Sequence, residues 1–433
     1  MPFSNLGLSS ELTTPLIKLG YTTPTPVQRE AIPQVLTGRD LLAKAQTGTG
    51  KTAAFGLPMI ERLFAGGRRQ PAGRAPRALI LVPTRELASQ VHQSLVTYGG
   101  PLRIKVTVVI GGVSMGPQVQ NLQRGTEILV ATPGRLIDHM ERRTVDLSKV
   151  EILVLDEADR MLDMGFRPAL RRIQAALPKR RQTLLFSATF SDEVIGLSAE
   201  YTHDPARVDV TANTVVPTTV THHVHPVGDG RKGELLARVL RDANDDQALV
   251  FCKTKRGSNR VGEHLERAGV RAAVIHGNKS QNARTKALAD FKGGRVRVLV
   301  ATDIAARGLD IAQLPLVVNF DLPLVAADYV HRVGRTGRAG ATGRAVSLVT
   351  PGDRGLLRDI QKLLAAPLEQ VVVDGFSPAG GVDASDDAPR PHRPGGNRRP
   401  GGAGAPRRSF GRPGQSRTPR GPRGPRQASR SRA

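Results

Sequence analysis

The chain has a single cysteine, Cys252, among 433 residues. No intramolecular disulfide can form, and such sparse cysteine gives no sign of an oxidising compartment. Long apolar runs are also missing, and none approaches the roughly 18 residues that suggest a membrane-spanning helix. The opening residues, MPFSNLGLSSEL, lack the basic segment and apolar stretch of a secretory leader. A soluble, cytoplasmic protein with no membrane partner is therefore expected. Acids are absent from Arg390 to the C-terminus, where 13 arginines stand, and Phe410 is the only aromatic beyond Phe376. A segment this poor in apolar side chains cannot bury enough surface to fold, so a disordered Gly/Pro/Arg-rich tail is expected over 376–433.

The whole chain carries 63 basic against 38 acidic residues, a net charge of +25. Removing that arginine-rich end still leaves 50 basic against 38 acidic residues. Basic charge in both parts favours a polyanionic partner, nucleic acid before anionic membrane.

Short runs rich in Val, Ile and Leu recur between helix-like stretches. DLLAKA (40–45), ALILVP (78–83), VTVVIGG (106–112), EILVATP (127–133), EILVLDEAD (151–159) and TLLFSAT (183–189) form one set. ALVFCKT (248–254), AAVIHG (272–277), VRVLVATD (296–303), LVVNFDLP (316–323) and GRAVSLVT (343–350) form another. Such runs alternating with helices predict buried parallel strands in α/β layers. Residues 209–223 show no helical periodicity and few charges, and read as a linker between domains at 1–208 and 224–375. Nearly every run ends in Gly, hydroxyl or charged residues, and open parallel sheets bind ligands beyond the carboxyl ends of their strands.

AQTGTGKT (45–52) lies between a strand and a helix. Its amides from Thr47 through Gly48, Thr49 and Gly50 suit phosphate oxygens at a helix N-terminus. Lys51 would reach the outer phosphates and the Thr52 hydroxyl would hold Mg²⁺. The usual phosphate loop begins with Gly, where this chain has Ala45. Asp156 follows an apolar run, as a Mg²⁺-holding carboxylate does in phosphate-loop NTPases, and Glu157 beside it could orient or deprotonate a water. A lone Asp-Glu pair is ordinary at a strand end. Paired with a Gly-Lys-Thr loop, it points to nucleoside triphosphate hydrolysis.

Taken in order, the motifs resemble those of the DEAD-box RNA helicases of superfamily two, from Phe3 to about Val349. GYTTPTPVQ (20–28) resembles the adenine-reading Q motif, placed within residues 1–28, with Phe3 upstream. AQTGTGKT, PTREL, GG, TPGR, DEAD and SAT follow, then VFCKT, HGNKSQNAR, ATDIAARGLD and YVHRVGRTGR. Ala45 matches the DEAD-box form of the loop. HGNKSQ with a Gly/Pro/Arg tail is similar to the bacterial RhlE-type members.

The resemblance implies two tandem RecA-like domains and RNA-dependent ATP hydrolysis coupled to local duplex unwinding. It implies that Gln28 reads adenine, Tyr21 stacks on it, and Asp310 holds the ribose. Lys51, Asp156, Glu157, Arg335 and Arg338 would be catalytic, the two arginines acting as fingers on the γ-phosphate. Ser187, Thr189, Asp159 and His331 would couple nucleotide to closure. RNA would meet Thr84, Arg85, Gly112, Thr132 and Arg135 in the first domain, and Arg284, Thr302 and Arg307 in the second. Phosphate and sugar contacts carry no base sequence, so binding should be sequence-independent. The motifs equally suit an ATP-gated RNA clamp that unwinds little. They do not specify the RNA, the oligomeric state, or a pathway such as ribosome assembly, RNA decay or growth in the cold, with its protein partners.

Overall fold

The computed structural model describes residues 2–46, 48–64, 75–210, 219–243, 247–306, 309, 311, 314–337 and 342–377. They form two lobes, each built on a seven-stranded parallel sheet. The first sheet contains β1 (Leu41–Lys44), β2 (Ala78–Leu81), β3 (Val106–Val109), β4 (Ile128–Ala131), β5 (Ile152–Leu155), β6 (Gln182–Ser187) and β7 (Ala206–Asp209), in the order β3-β4-β2-β5-β6-β1-β7. The second contains β8 (Val220–Pro226), β9 (Ala248–Cys252), β10 (Ala272–Ile275), β11 (Val298–Thr302), β12 (Leu316–Asn319), β13 (Gly343–Val349) and β14 (Glu369–Gln370), ordered β10-β11-β9-β12-β13-β8-β14.

The apolar runs become strands because both faces of each sheet are covered. Leu41 and Ala43 of β1 enter one core layer while Leu42 enters the other. Ile80 and Leu81 divide in the same way, so residue alternation feeds two layers at once. The helix Lys51–Phe64 packs under the helix Pro26–Leu36, which explains why most of its circumference is buried. Phe55 on that helix meets Phe186 of β6 with ring centroids 5.4 Å apart and tilted by 59°. Such a pair contributes about 1 kcal/mol beyond its area burial. It fixes the start of the phosphate-loop helix against the strand leading into SAT.

Two expected boundaries change. β8 begins at Val220, so residues 220–223 of the expected linker belong to the second sheet, while 211–218 lie outside the described residues. Val220, Val224 and His225 are buried and Thr221 is exposed, and three histidines within the strand keep it from reading as an apolar run. Phe376, expected in the tail, packs on the second lobe's core with the Arg231 guanidinium 4.6 Å from its ring centroid. The tail from 378 onwards lies outside the described residues. Strands β7, β8 and β14 have no counterpart among the apolar runs, because each is short or broken by polar residues.

Strand order, not chain order, divides the first sheet's carboxyl edge. AQTGTGKT, DEAD and SAT leave the adjacent strands β1, β5 and β6, with β6 in the middle. PTREL, GG and TPGR leave β2, β3 and β4 on the other half. In the second sheet, VFCKT, HGNKSQNAR and ATDIAARGLD likewise leave the neighbours β9, β10 and β11.

Candidate active site and nucleic-acid interface

The parallel ladder between β1 and β6 pairs Lys44 with Ser187, and Ala45 N extends it by donating to Ser187 O at 2.9 Å. The loop then turns through Gly48 (φ 85°) and Gly50 (φ 89°), conformations that favour glycine. At Gly50 a Cβ would also stand 2.3 Å from Gln28 Nε2. Gln28 Nε2 donates to Gly50 O at 3.1 Å, and its Oε1 accepts from Thr25 N at 2.9 Å. The Q-motif glutamine therefore braces the phosphate loop from behind while capping its own helix. Tyr21 is 47% exposed. Phe3 is buried in the first lobe's core. Thr49 Oγ1 donates to Gln46 O at 2.7 Å, Thr52 is half-buried on the first turn of the helix, and Thr47 lies outside the described residues.

Lys51 is 6% exposed, and among the described residues its ammonium has no hydrogen-bond partner. Its nearest acid is Asp156, with Nζ 3.8 Å from Oδ1. An ammonium buried this way is costly unless a ligand oxygen completes its shell. Burial pushes the Asp156 carboxyl up to about 6, with the Lys51 charge pulling it the other way. Asp156 Oδ1 accepts from Glu157 N at 2.9 Å. Glu157 has left-handed backbone (φ 54°), which costs an L-residue about 1–2 kcal/mol. Arg160 donates to its carboxylate.

Asp159 connects the acidic quartet to SAT: its Oδ2 accepts from Ala188 N at 3.0 Å and from Thr189 Oγ1 at 3.5 Å. Ser187 Oγ accepts from Thr189 N at 3.3 Å. The acidic quartet and the SAT turn are thus joined by direct hydrogen bonds. Among the described residues no group of three or more His, Cys, Asp and Glu side chains could hold a metal.

From the second lobe, Asp328 and His331 line one cleft together with Lys51, Glu157, Asp159 and Arg160. Arg335 is 3% exposed, donates to Leu309 O at 2.7 Å, and lines the adjoining cavity with Arg160, Asp328 and His331. Arg332 is spent on structure. Its Nε and Nη2 grip Asp303 at 2.6 and 2.7 Å, while Nη1 reaches Asn319 Oδ1 at 3.0 Å and Asp321 O at 2.6 Å. It holds the ends of β11 and β12 together beneath the helix Ala326–Val333. Asp310, Arg338 and Arg307 lie outside the described residues.

On the other half of the edge, Thr84 caps the helix Arg85–Gly99 by accepting from Leu87 N at 3.3 Å. Arg85 lies across Gly111 and Gly112; a Cβ on Gly112 (φ 75°) would fall 1.9 Å from Arg85 Nη1. Burial, and then the charge of Arg284, lowers the Arg85 pKa. Thr132 precedes the helix Pro133–Glu141, on which Arg135 reaches Asp138 Oδ2 at 3.3 Å and Val113 O at 3.1 Å. Thr302 ends β11 and is 8% exposed. Arg284, expected on RNA, is ion-paired with Glu86 of the opposite lobe at 2.9 Å.

Three residues here escaped sequence reasoning. Glu86 Oε1 accepts from Gln281 Nε2 at 2.9 Å while its Oε2 is ion-paired with Arg284, and Gln281 Oε1 accepts from Arg85 Nη1 at 3.3 Å. Arg160 is the third. Glu86 and Gln281 sit inside motifs already singled out, so the available signal was a charged or amide residue buried at a strand end.

Residues 25–196 match the DEAD/DEAH box helicase family, and residues 231–340 match the helicase conserved C-terminal domain. The chain belongs to the DEAD-box helicase family. It is 42% identical over 369 residues to an ATP-dependent RNA helicase DbpA of Bacillus subtilis, covering 85% of this chain and 76% of that one. It is 40% identical over 369 residues to the B. subtilis DEAD-box ATP-dependent RNA helicase CshA, covering 85% and 74%. Among solved structures, S. cerevisiae Dbp5 bound to RNA and ADP BeF3 superposes with a TM-score of 0.76 at 31% identity, covering 86% of this chain and 96% of that one. The two sheets are thus the tandem RecA-like pair of that family. No helix among the described residues is long and apolar enough to cross a membrane.

Proposed function

We infer that this protein is an ATP-dependent RNA helicase whose two lobes close on ATP and RNA together. The observation that carries this reading is the shared cleft: the buried Lys51 ammonium and Glu157 of the first lobe face Asp328 and His331 of the second. ATP enters as its magnesium complex, the form that a single buried carboxylate and a hydroxyl suit better than a protein-only metal cage. Asp156 and Thr52 would hold the ion, which supplies neutralisation of phosphate charge when bound.

Lys51 completes its hydrogen bonds on the outer phosphates. Gln28, with an amide that can donate and accept, reads adenine, and Tyr21 offers its exposed ring to the base. Asp310 holds the ribose. Glu157 orients the attacking water and takes its proton. Arg335 and Arg338 neutralise the charge that develops on the transferred phosphoryl group, a contribution of roughly 10³–10⁵ in rate in related enzymes.

RNA lies along the other half of both sheet edges, meeting Thr84, Arg85, Gly112, Thr132 and Arg135, then Arg284, Thr302 and Arg307. Because ATP and RNA both favour the closed form, each strengthens the other's binding. Closure bends one strand and releases its complement. Ser187, Thr189 and Asp159 carry the state of the nucleotide to the closing surfaces, and His331 answers from the other lobe.

Glu157→Gln tests this reading. Turnover should fall steeply while an ATP-dependent RNA complex becomes long-lived. RNA affinity indifferent to ATP in that variant would sink the clamp mechanism. Comparing ATPase stimulation by RNA and by DNA tests the substrate class.

A further inference from the structure

Arg160 directly follows the acidic quartet and has no part in the mechanism above. It is 7% exposed and donates from Nη1 to Glu157 Oε2, both side chains being buried. A buried ion pair is a poor device for stability, because removing two charges from water costs about what their attraction returns. An apolar residue of similar volume would serve a core as well. Place argues for use. Arg160 lines the cleft with Lys51, Asp159 and His331, and also the cavity that holds Arg335.

The three neighbouring carboxylates are divided among different partners. Asp156 faces Lys51, Asp159 binds Ala188 and Thr189, and Glu157 receives Arg160. Glu157 also has the left-handed backbone, a conformation that persists only where its surroundings over-determine it. The hydrogen bond that its backbone N donates to Asp156 Oδ1 and the one that its carboxylate accepts from Arg160 supply two such constraints.

We propose that Arg160 is a positioning residue for ATP hydrolysis, fixing the orientation in which the Glu157 carboxylate meets the attacking water. The proposal rests on Glu157 being the base. In the step itself, the water oxygen bonds to the γ-phosphorus and the bond to the β,γ-bridging oxygen breaks. The water proton passes to Glu157, and ADP leaves with the electron pair. Arg160 takes no part in the bond changes and only holds the carboxylate in place.

The test uses the full chain with saturating RNA. Arg160→Met, which keeps the length of the stem, should lower kcat about tenfold or more, with KM for ATP within about twofold. RNA affinity with a non-hydrolysable ATP analogue should not change. Arg160→Lys should recover part of the loss. In a Glu157→Gln background, Arg160→Met should cost nothing further, because residues acting as one unit are not additive. Multiplying losses, or a raised KM at unchanged kcat, would overturn the proposal. If Glu157→Gln alone leaves turnover intact, the base assignment fails and this proposal fails with it. If Glu157→Gln is crippled but Arg160→Met is normal, only the Arg160 role fails. Thermal melting checks folding of each variant, and Arg160→Lys carries the same double-variant test should Arg160→Met not fold.

Discussion

Glu86 Oε2 in the first lobe lies 2.9 Å from Arg284 Nη2 in the second, and both side chains are at most 10% exposed. Gln281, one turn before Arg284, donates to the other Glu86 oxygen at 2.9 Å. This bifurcated contact spans the half of the cleft assigned to RNA, opposite the half assigned to ATP. Removing one partner of a buried pair costs about 3–5 kcal/mol in other systems, because it strands the second charge.

Glu86→Ala should therefore weaken closure more than it weakens either lobe. The expected result is an RNA-stimulated ATPase with KM for RNA raised roughly tenfold or more, the residual RNA-free rate being unchanged. Arg284→Ala should behave alike, and the double variant should be less than additive. Additive losses in that cycle would show that the pair does not act as a latch.

Gly50→Ala should damage nucleotide binding through geometry alone. The position has φ 89°, and the new methyl would strike Gln28 Nε2. Strain in the left-handed region costs about 1–2 kcal/mol, and displacing Gln28 opens its bond to Gly50 O. Affinity for an ATP analogue, measured by titration, should fall at least about tenfold. Gln28→Ala should also lower affinity, since it removes both the brace on Gly50 O and the amide proposed to read adenine.

Acid should destabilise the fold between about pH 6.5 and 4. Burial lowers the pKa of His92, His139, His222, His225 and His276, that of His139 to about 4. The hydroxyl hydrogen of Thr144 goes to His139 O, so Thr144 Oγ1 must accept from His139 Nδ1 at 2.7 Å. Nε2 is then bare, buried and without a partner among the described residues. Well above pH 6.5 these rings are neutral in both states and contribute no pH dependence. Below it the unfolded chain takes protons that the folded chain refuses, so stability falls until the folded pKa is reached. His139 alone would account for roughly 2–3 kcal/mol. Urea midpoints at pH 7.5 and pH 5 should differ clearly in the natural chain and less in His139→Leu.

Deleting residues 377–433 should weaken RNA binding and flatten its salt dependence. The removed segment includes the 13 arginines from Arg390 onwards, with no acid among them. Each phosphate contact on single-stranded nucleic acid adds about 0.7 to the slope of log affinity against log salt. ATPase at saturating RNA should change little. An unchanged slope would assign the tail to a protein partner.

The parallel strands were legible because buried Val, Ile and Leu runs leave a local signature. The strand ends carried the phosphate loop and the acidic quartet in readable form, and YVHRVGRTGR, which begins on the helix Ala326–Val333, was equally readable. The basic charge of the C-terminal segment is a matter of composition, and its residues from 378 onwards lie outside those described. Strand order was not: β1 inserts between β6 and β7, and only that placement brings AQTGTGKT beside SAT and DEAD while sending PTREL to the other half of the edge. Nor were the pairings of Arg160 with Glu157, Arg332 with Asp303, or Glu86 with a residue 195 positions away legible. The last two pairs join distant segments and leave no periodicity in either one, and Arg160 meets Glu157 only three residues away but across a left-handed backbone turn. The sequence by itself determined which chemistry each strand end can perform. The tertiary structure decided which ends work together, because burial of both faces of two sheets sets the order in which their strands must stand.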